Sequence, residues 1–394
     1  MKHLLILIAL LSGIVPMIKG QAFDDEVFRK TSQDGLSLTY QMDYAAAHAK
    51  FMELKRAYPE HPGPYFLLAF NRWWQTYLDI PMETYYGYIE DQLEMCLEKN
   101  KELEDTKPRE YVFFQFMGYA LKARVASYRR EWMAAVNSAR KVVGPLKESL
   151  EFVGDENEFY LPAGLYHYYV ATYHEFYPVV RPFLYFFPDG DKELGLEELI
   201  SAGELPGMTQ YEALFYLTYI YLDEIKDLPK GLAITQKLVN DFPSNTWYAC
   251  DYGRALMLNG KFNQADEVLG ELIARFEQQS QFDTRRIDSK ESTLTSFLMI
   301  KIYQCRGQLE VLRGGSLDEA VKLFNKSRTS AHLAGVENHA YLVADTFWEG
   351  AVMDLQGNRS GAIEKYKQVQ KMDDNALYKE LAKQYTKAPY ELAR

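Results

Sequence analysis

The sequence has little cysteine, no excess of basic charge and no catalytic signature. Its 394 residues include three cysteines, Cys96, Cys250 and Cys305. So sparse and odd a set excludes a disulfide-stapled fold; buried free thiols are the favoured state, and one disulfide pair is the alternative. Lysine and arginine total 44 against 55 acidic residues, a formal charge of −11. A nucleic-acid surface needs a dense basic face, so we expect no nucleic-acid partner.

Familiar motifs of catalysis and cofactor binding are also missing. The chain has no HExxH, GxSxG, P-loop, GxGxxG, EF-hand loop or paired CxxC. His167 and His174 lie two helical turns apart, too far for a close metal pair without a third element. We therefore interpret them as hydrogen-bonded histidines of an aromatic core. The expectation is a protein that is not an enzyme and has no cofactor and no metal site.

The first 22 residues have the pattern of a cleaved secretory signal. A basic start, Met1-Lys2-His3, precedes an uncharged apolar stretch at 4–15, and Gly20-Gln21-Ala22 places small residues where a signal peptidase reads them. The apolar stretch is shorter than the about 20 residues that span a membrane, and no longer one follows. We expect a signal peptide at 1–22, no transmembrane segment after cleavage and a periplasmic or secreted location. No cysteine lies near the cut to carry a lipid. An N-terminal anchor helix is the alternative.

The rest of the chain has the periodicity of α-helices. Apolar residues recur at spacings of three and four, and alternation with period two is rare. Residues that end helices arrive at short intervals, namely Pro59, Pro108, Pro188, Pro206, Pro243, Gly260 and Gly357. This pattern predicts an all-α fold of helices joined by tight turns.

Small residues recur at matching places in successive helices. The spacing of Ala47, Phe51, Leu54 and Pro59 is repeated by Gly231, Thr235, Leu238 and Pro243. Such spacing resembles the tetratricopeptide repeat (TPR) family, whose unit of about 34 residues pairs two helices. The resemblance implies an α-solenoid, a right-handed superhelix of antiparallel helix pairs. Small side chains would mark the helix contacts, at Ala69, Gly118, Gly253 and Gly350 in first helices and at Ala47, Gly195, Gly231, Ala265, Ala320 and Ala362 in second helices.

The predicted organisation has four parts. The signal peptide at 1–22 is followed by TPR-like repeats at 23–160, an aromatic-rich insert at 161–191 and further TPR-like repeats at 192–394. The repeat spacing is lost after Ala265, where the polar stretch 278–292 predicts a loop. The aromatic stretch 159–187 has three open interpretations: packing inside the superhelix, which is favoured, a ligand groove, or docking on a partner or membrane.

The resemblance also implies a concave groove lined by the first helix of each unit. Carried over onto this sequence, the candidate ligand or partner residues are Phe66, Phe70, Trp73, Trp74, Tyr119, Tyr216, Trp247 and Arg254. Family members that clamp a peptide carboxylate use lysine and asparagine at such positions, and this groove is aromatic instead, so we expect no such clamp. Buried packing is the competing interpretation of the same residues.

The leading hypothesis is a non-catalytic binding or scaffold protein of the cell envelope that holds a protein or peptide partner. Its oligomeric state stays open. One alternative is a glycan-binding protein of an outer-membrane nutrient-uptake system, in which tryptophans stack on sugars. A less favoured one is a carbohydrate-active enzyme with an α/α toroid, which needs two carboxylates roughly 5–9.5 Å apart across a cleft.

Overall fold

The computed structural model describes residues 25–78, 83–129, 131–176, 189–283, 291–333, 340–372 and 376–392. Every regular element within these ranges is helical, which confirms the predicted all-α fold. The signal peptide predicted at 1–22 lies outside the described residues. None of the described helices is long and apolar enough to cross a bilayer.

The α-helices of the described ranges are, in chain order, α1 (Glu26–Tyr40), α2 (Tyr44–Ala57), α3 (Pro62–Leu78), α4 (Glu83–Asn100), α5 (Pro108–Tyr128), α6 (Trp132–Ser149), α7 (Tyr160–Phe176), α8 (Lys192–Glu204), α9 (Gln210–Tyr219), α10 (Leu228–Asp241), α11 (Thr246–Leu258), α12 (Phe262–Asp283), α13 (Glu291–Leu312), α14 (Leu317–Leu333), α15 (Ala340–Leu355), α16 (Arg359–Lys371) and α17 (Ala376–Lys387).

These helices form two compact units. The first unit comprises the described residues within 25–38, 44–71 and 88–152, and the second comprises those within 39–43, 72–87 and 153–394. Consecutive helices pack against each other, α5 with α6 in the first unit, and α7 with α8, α11 with α12, α13 with α14 and α15 with α16 in the second. The division of the repeats at 160 and 191 stays a prediction, and part of the aromatic insert, 177–188, lies outside the described residues.

Small residues mark the helix contacts, as the repeat pattern predicts. The predicted positions are all buried: Ala47, Ala69, Gly118, Gly195, Gly231, Gly253, Ala265, Ala320, Gly350 and Ala362. A Cβ at Gly253 would lie 2.8 Å from Leu269 Cδ2, and one at Gly195 would lie 2.3 Å from the backbone nitrogen of Tyr168. A Cβ added at Gly164 of α7 would likewise lie 2.9 Å from the carbonyl oxygen of Gly195. The backbones of α7 and α8 are therefore in contact.

Helix ends follow the sequence signals with two differences. Pro108, predicted to end a helix, is the first residue of α5, where its missing N–H costs nothing. Gly260 and Gly357 adopt φ of 72° and 78° just after α11 and α15, a left-handed conformation that glycine adopts without strain. The loop predicted at 278–292 is shorter than expected, because α12 continues to Asp283 and α13 begins at Glu291. The stretch 278–283 contains neither proline nor glycine, so continuing the helix costs little.

Candidate functional site

Two of the candidate groove residues are core residues of the first unit. Phe66 and Phe70 are buried, with their ring centroids 5.8 Å apart in a stacked arrangement, and Phe66 also packs on Phe114 at 6.3 Å. Tyr119 of α5 is half-buried, and the Lys141 ammonium lies 5.1 Å from its ring centroid. The phenylalanines therefore stabilise the unit, while Tyr119 retains some exposed surface.

Trp73 and Trp74 are buried in the second unit. The Trp74 ring meets Tyr40 edge to face at 5.5 Å, Phe215 at 5.2 Å and Tyr248 at 6.4 Å. Each tryptophan is at most 2% exposed, so neither ring presents a face to a ligand in this conformation. Both tryptophans are thus surrounded by packed side chains, which agrees with the interpretation that they are core residues.

The remaining predicted residues lie in the second unit, where Trp247 and Arg254 belong to a group of charged and aromatic side chains that we call the polar cluster. It consists of Tyr219, Asp223, Trp247, Asp251, Arg254 and Lys301, from α9, the turn after it, α11 and α13. Trp247 is buried beneath Lys301, whose ammonium lies 3.7 Å from the ring centroid. The indole Nε1 donates a hydrogen bond to the Tyr219 hydroxyl at 3.1 Å. Both a ring face and the N–H of this tryptophan are therefore occupied from within the chain.

A buried ion pair forms the centre of the polar cluster. Lys301 Nζ lies 2.7 Å from Asp251 Oδ1, and both side chains are 3% exposed. The Tyr219 hydroxyl donates to the second carboxylate oxygen of Asp251 at 3.4 Å. Burial lowers the pKa of Lys301, but neighbouring acidic groups, the Asp251 carboxylate first among them, more than offset this, so the net shift is upward and the amine stays charged. Removing two charges from water costs several kcal/mol per ion, which makes this pair an expensive feature of the interior.

A second ion pair borders the cluster. Arg254 donates to both carboxylate oxygens of Asp223, one at 3.2 Å, and the two side chains are partly exposed. Asp223 lies in a single π-helical turn, Ile220–Glu224, which continues α9, and Lys226 after it has φ of 61°. Non-glycine residues seldom adopt this conformation, and π turns often accompany functional sites. Tyr216, one turn earlier on α9, is half-buried.

Two histidines of the described part are hydrogen-bonded to glutamate side chains, and one of them, His167, was predicted to be a hydrogen-bonded core histidine. His167 Nδ1 lies 2.6 Å from Glu198 Oε2, and His61 Nε2 lies 2.8 Å from Glu110 Oε2. The side chain of His174 lies outside the described part. Within the part of the chain that the structure describes, no group of three or more histidine, cysteine, aspartate or glutamate side chains is arranged to hold a metal ion.

An exposed apolar face on α6 is the clearest feature of the first unit's surface. Trp132 and Met133 are 62% and 74% exposed. Trp132 continues into a stripe at helical spacing with the half-buried Val136 and Val143 and the exposed Ala139. The only buried residues of this 18-residue helix are Ser138, Leu146 and Ser149. Arg140 and Lys147 are exposed beside the stripe, so this face combines apolar and basic groups.

Neither the Asp251–Lys301 ion pair nor the exposed face of α6 was predicted from the sequence. Lys301 is a lone charge within the apolar stretch Phe297–Tyr303, and a charge in such a setting signals a buried partner. The sequence does not identify that partner as Asp251, fifty residues earlier. The exposed face of α6 also left a trace in the sequence. Trp132 and Met133 come directly after the charged residues Arg129-Arg130-Glu131, a polar setting typical of a surface position.

Comparison with known proteins finds helical-repeat structures and no family. No protein-family model and no curated protein matches the chain. Similar solved structures include the human IFIT1 dimer with PPP-AAAA, at 14% identity and TM-score 0.42 over 85% of this chain and 70% of that one. Yeast Tom70 matches at 12% identity and TM-score 0.29 over 93% and 88%. The TPR domain of P58(IPK) matches at 14% identity and TM-score 0.22 over 91% and 96%. The function proposed below rests on the residues of this chain.

Proposed function

We propose that this chain is a non-catalytic binding protein of the cell envelope, which holds a protein or peptide partner on the exposed face of α6. The observation that carries the proposal is the exposed face of α6, where Trp132 and Met133 stand open to solvent. Large exposed apolar side chains next to one another mark interaction surfaces, and tryptophan, methionine and arginine are enriched at protein interfaces.

The charge of this face specifies the partner's chemistry. Residues 132–149 carry Arg140, Lys141 and Lys147 against Glu148, so α6 is basic within a chain of formal charge −11. A partner that fits has an apolar ridge flanked by acidic residues, as an amphipathic acidic helix has. Arg140 and Lys147 are exposed and therefore available to such a partner.

The burial of the predicted groove residues in the second unit favours the exposed face of α6 over the predicted groove. Trp73, Trp74 and Trp247 are buried, and Trp247 has its ring face and its N–H engaged by Lys301 and Tyr219. Sugar binding by stacking needs an open aromatic face. These contacts therefore count against the glycan-binding alternative at the three predicted tryptophans. The location in the envelope is proposed from the signal pattern of residues 1–22.

The test compares partner capture by matched variants of the full-length protein, isolated after export. The variant Trp132→Ala/Met133→Ala removes the exposed apolar pair, and Leu377→Ala, at a 41% exposed residue of α17, serves as the control. Arg140→Glu reverses one exposed charge of α6 and probes the acidic character of the partner. Each immobilised protein is exposed to envelope extract at two salt concentrations, and retained proteins are quantified by mass spectrometry.

The proposal expects a protein that wild type and Leu377→Ala retain equally, that the double variant loses, and that Arg140→Glu binds more weakly at low salt. Equal retention by all variants would contradict the assignment to α6. No retained protein, together with turnover of envelope substrates by the wild type, would contradict a non-catalytic binding role.

A further inference from the structure

The last described residues of the chain lie on the second unit as an extended segment. Helix α17 ends at Lys387, and segment 388–392 continues without regular secondary structure. Tyr390 is 9% exposed and Leu392 is half-buried, whereas Glu391 between them is exposed. Side chains that point alternately to the protein and to solvent are typical of an extended peptide. Segment 388–392 therefore lies on the second unit in the manner of a bound peptide.

The segment occupies a slot with aromatic walls. We define this slot by four residues of α15, α17 and the turn after α13, namely Trp348, Asp354, Tyr385 and Gly314. The ring centroid of Tyr390 lies 5.7 Å from that of Trp348 and 5.2 Å from that of Tyr385. Leu392 packs against the same hydrophobic core, and a Cβ added at Gly314 would lie 3.8 Å from its Cδ1. Two side chains of the segment therefore hold it in the slot.

A buried carboxylate is the polar anchor of the slot. The Asp354 side chain is fully buried, and its Oδ2 accepts a hydrogen bond from the backbone N–H of Tyr390 at 2.8 Å. Among the described residues, this is the one hydrogen bond that the backbone of 389–392 makes. Segments with few buried contacts and few backbone hydrogen bonds are the parts of a protein that open first. Segment 388–392 is therefore suited to leave the slot without unfolding the unit.

The carboxylate stays paired when the segment leaves. Asp354 accepts hydrogen bonds from Arg359 Nη1 at 3.0 and 2.9 Å and from the Tyr366 hydroxyl at 3.0 Å. Tyr390 thus supplies one of the four hydrogen bonds of this carboxylate. A buried charge that loses all its partners is strongly destabilising, whereas this one keeps its cation. The empty slot therefore retains a charged acceptor for the N–H of a peptide.

The aromatic walls of the slot are also held from behind. The indole N–H of Trp348 donates a hydrogen bond to the Tyr378 hydroxyl at 3.2 Å. The Tyr385 ring packs on Phe347 with their centroids 5.8 Å apart, and its carbonyl oxygen accepts from Arg359 Nη2 at 2.8 Å. None of these contacts involves segment 388–392. The slot is therefore preorganised, which lowers the cost of binding a peptide there.

We propose that the slot binds an extended peptide of a partner protein, and that segment 388–392 closes the slot as an autoinhibitory segment. The contacts specify the peptide: an aromatic residue whose N–H reaches Asp354, then a solvent-facing residue, then an aliphatic residue. Tyr390, Glu391 and Leu392 supply this pattern within the chain. Covalent attachment gives the segment an effective concentration on the order of millimolar, so weak contacts keep the slot closed. The slot belongs to the second unit and does not rest on the proposed role of α6.

The experiment measures how tightly a fluorescein-labelled peptide with the sequence of residues 388–392, blocked at both ends, binds to the full-length protein. The variant Tyr390→Ala/Leu392→Ala removes the two anchors, and Glu391→Ala, at the exposed residue between them, is the matched control. By fluorescence polarisation we expect the double variant to bind the peptide at least about tenfold more tightly than the wild type and Glu391→Ala do. A peptide methylated at the tyrosine nitrogen lacks the donor to Asp354 and should bind about tenfold more weakly.

Equal affinity of the wild type and the double variant, or a folded double variant that does not bind the peptide, would overturn the proposal. Far-UV circular dichroism establishes that the double variant is folded, and hydrogen exchange of the wild type decides the point if it is not. Excess unlabelled peptide should displace the segment and accelerate exchange of the Tyr390 amide, whereas an unchanged exchange rate would count against a closing segment.

Two further measurements test the identity of the occupant. Random peptides displayed against the double variant should be enriched in an aromatic residue followed two positions later by an aliphatic one, and enrichment of an unrelated motif would contradict the assigned ligand. Light scattering of the wild type should show no dimer that depends on segment 388–392. A dimer that grows with protein concentration and is lost in the double variant would assign the slot to a second copy of the chain and refute the autoinhibitory role.

Discussion

Replacing Lys301 by methionine is expected to destabilise the second unit strongly. Methionine is an unbranched side chain one atom shorter than lysine, and the substitution removes the charge. It leaves the Asp251 carboxylate in a site that is 3% exposed, with only the Tyr219 hydroxyl, at 3.4 Å, as a remaining donor from the polar cluster. Breaking a buried pair by removing one partner typically costs about 3–5 kcal/mol. The ammonium also lies 3.7 Å from the Trp247 ring centroid, so a cation–π contribution of roughly 1–2 kcal/mol is lost within that total.

The assay is urea unfolding followed by circular dichroism at 222 nm and by tryptophan fluorescence. With an m-value of about 2–3 kcal/mol/M, the expected loss lowers the midpoint by roughly 1–2 M urea. The matched control is Lys322→Met, which removes the exposed partner of Glu319, 3.5 Å away, with side chains 71% and 48% exposed. Such surface pairs contribute little, so this midpoint should not change measurably.

A double variant separates the cost of an orphaned charge from the value of the ion pair itself. In Lys301→Met/Asp251→Leu no charge is left unpaired, and we expect stability close to that of the wild type, since hydrophobic replacement of buried pairs is often neutral or stabilising. A Lys301→Met midpoint no lower than that of Lys322→Met would refute the reasoning. So would a double variant as unstable as the single one.

Three further predictions concern other parts of the chain. Gly195→Ala should cost about 1–3 kcal/mol through overpacking against the backbone of α7, whereas Gly270→Ala, whose Cβ would meet nothing within 4 Å, should stabilise α12 by about 0.5–1 kcal/mol in the same unfolding assay. Burial raises the pKa of Asp345 well above its usual value, so its contribution to stability is fully present below the unfolded-state pKa near 3.8 and is lost as pH rises through the folded-state pKa. The free energy of unfolding of Asp345→Asn should therefore equal that of the wild type at low pH. Between the unfolded-state and folded-state pKa values the variant should become the more stable protein, by up to about 1.4 kcal/mol per pH unit, measured by unfolding at a series of pH values. Trp132→Ala/Met133→Ala should leave thermal unfolding unchanged, because both side chains are largely exposed.

The helical repeat was predictable because it depends on local spacing. Ala265 and Ala362 fall where a small side chain must face a neighbouring helix, and both are fully buried. The surroundings of the candidate groove residues were not predictable in the same way. Spacing assigns Trp74 and Trp247 to a helix face, but whether that face is open depends on the side chains that other helices bring to it, such as Tyr40 against Trp74 and Lys301 against Trp247.

The polar cluster shows the same limit of local patterns. The π turn at Ile220–Glu224 changes the register of α9 without any proline or glycine to announce it. Asp223 therefore reaches Arg254 through a geometry that periodicity does not encode.

Site-specific photocrosslinking at α6 tests the central claim most directly. Met133→p-benzoylphenylalanine places the probe at the 74% exposed position, and Leu377→p-benzoylphenylalanine places it at the 41% exposed control position. Irradiation of cells that produce each protein, followed by mass spectrometry of the adducts, identifies whatever lies within reach. The account predicts one defined protein adduct at position 133, with an acidic amphipathic segment at the crosslink, and none of it at position 377. The absence of any adduct at position 133, or the same adducts at both positions, would contradict it.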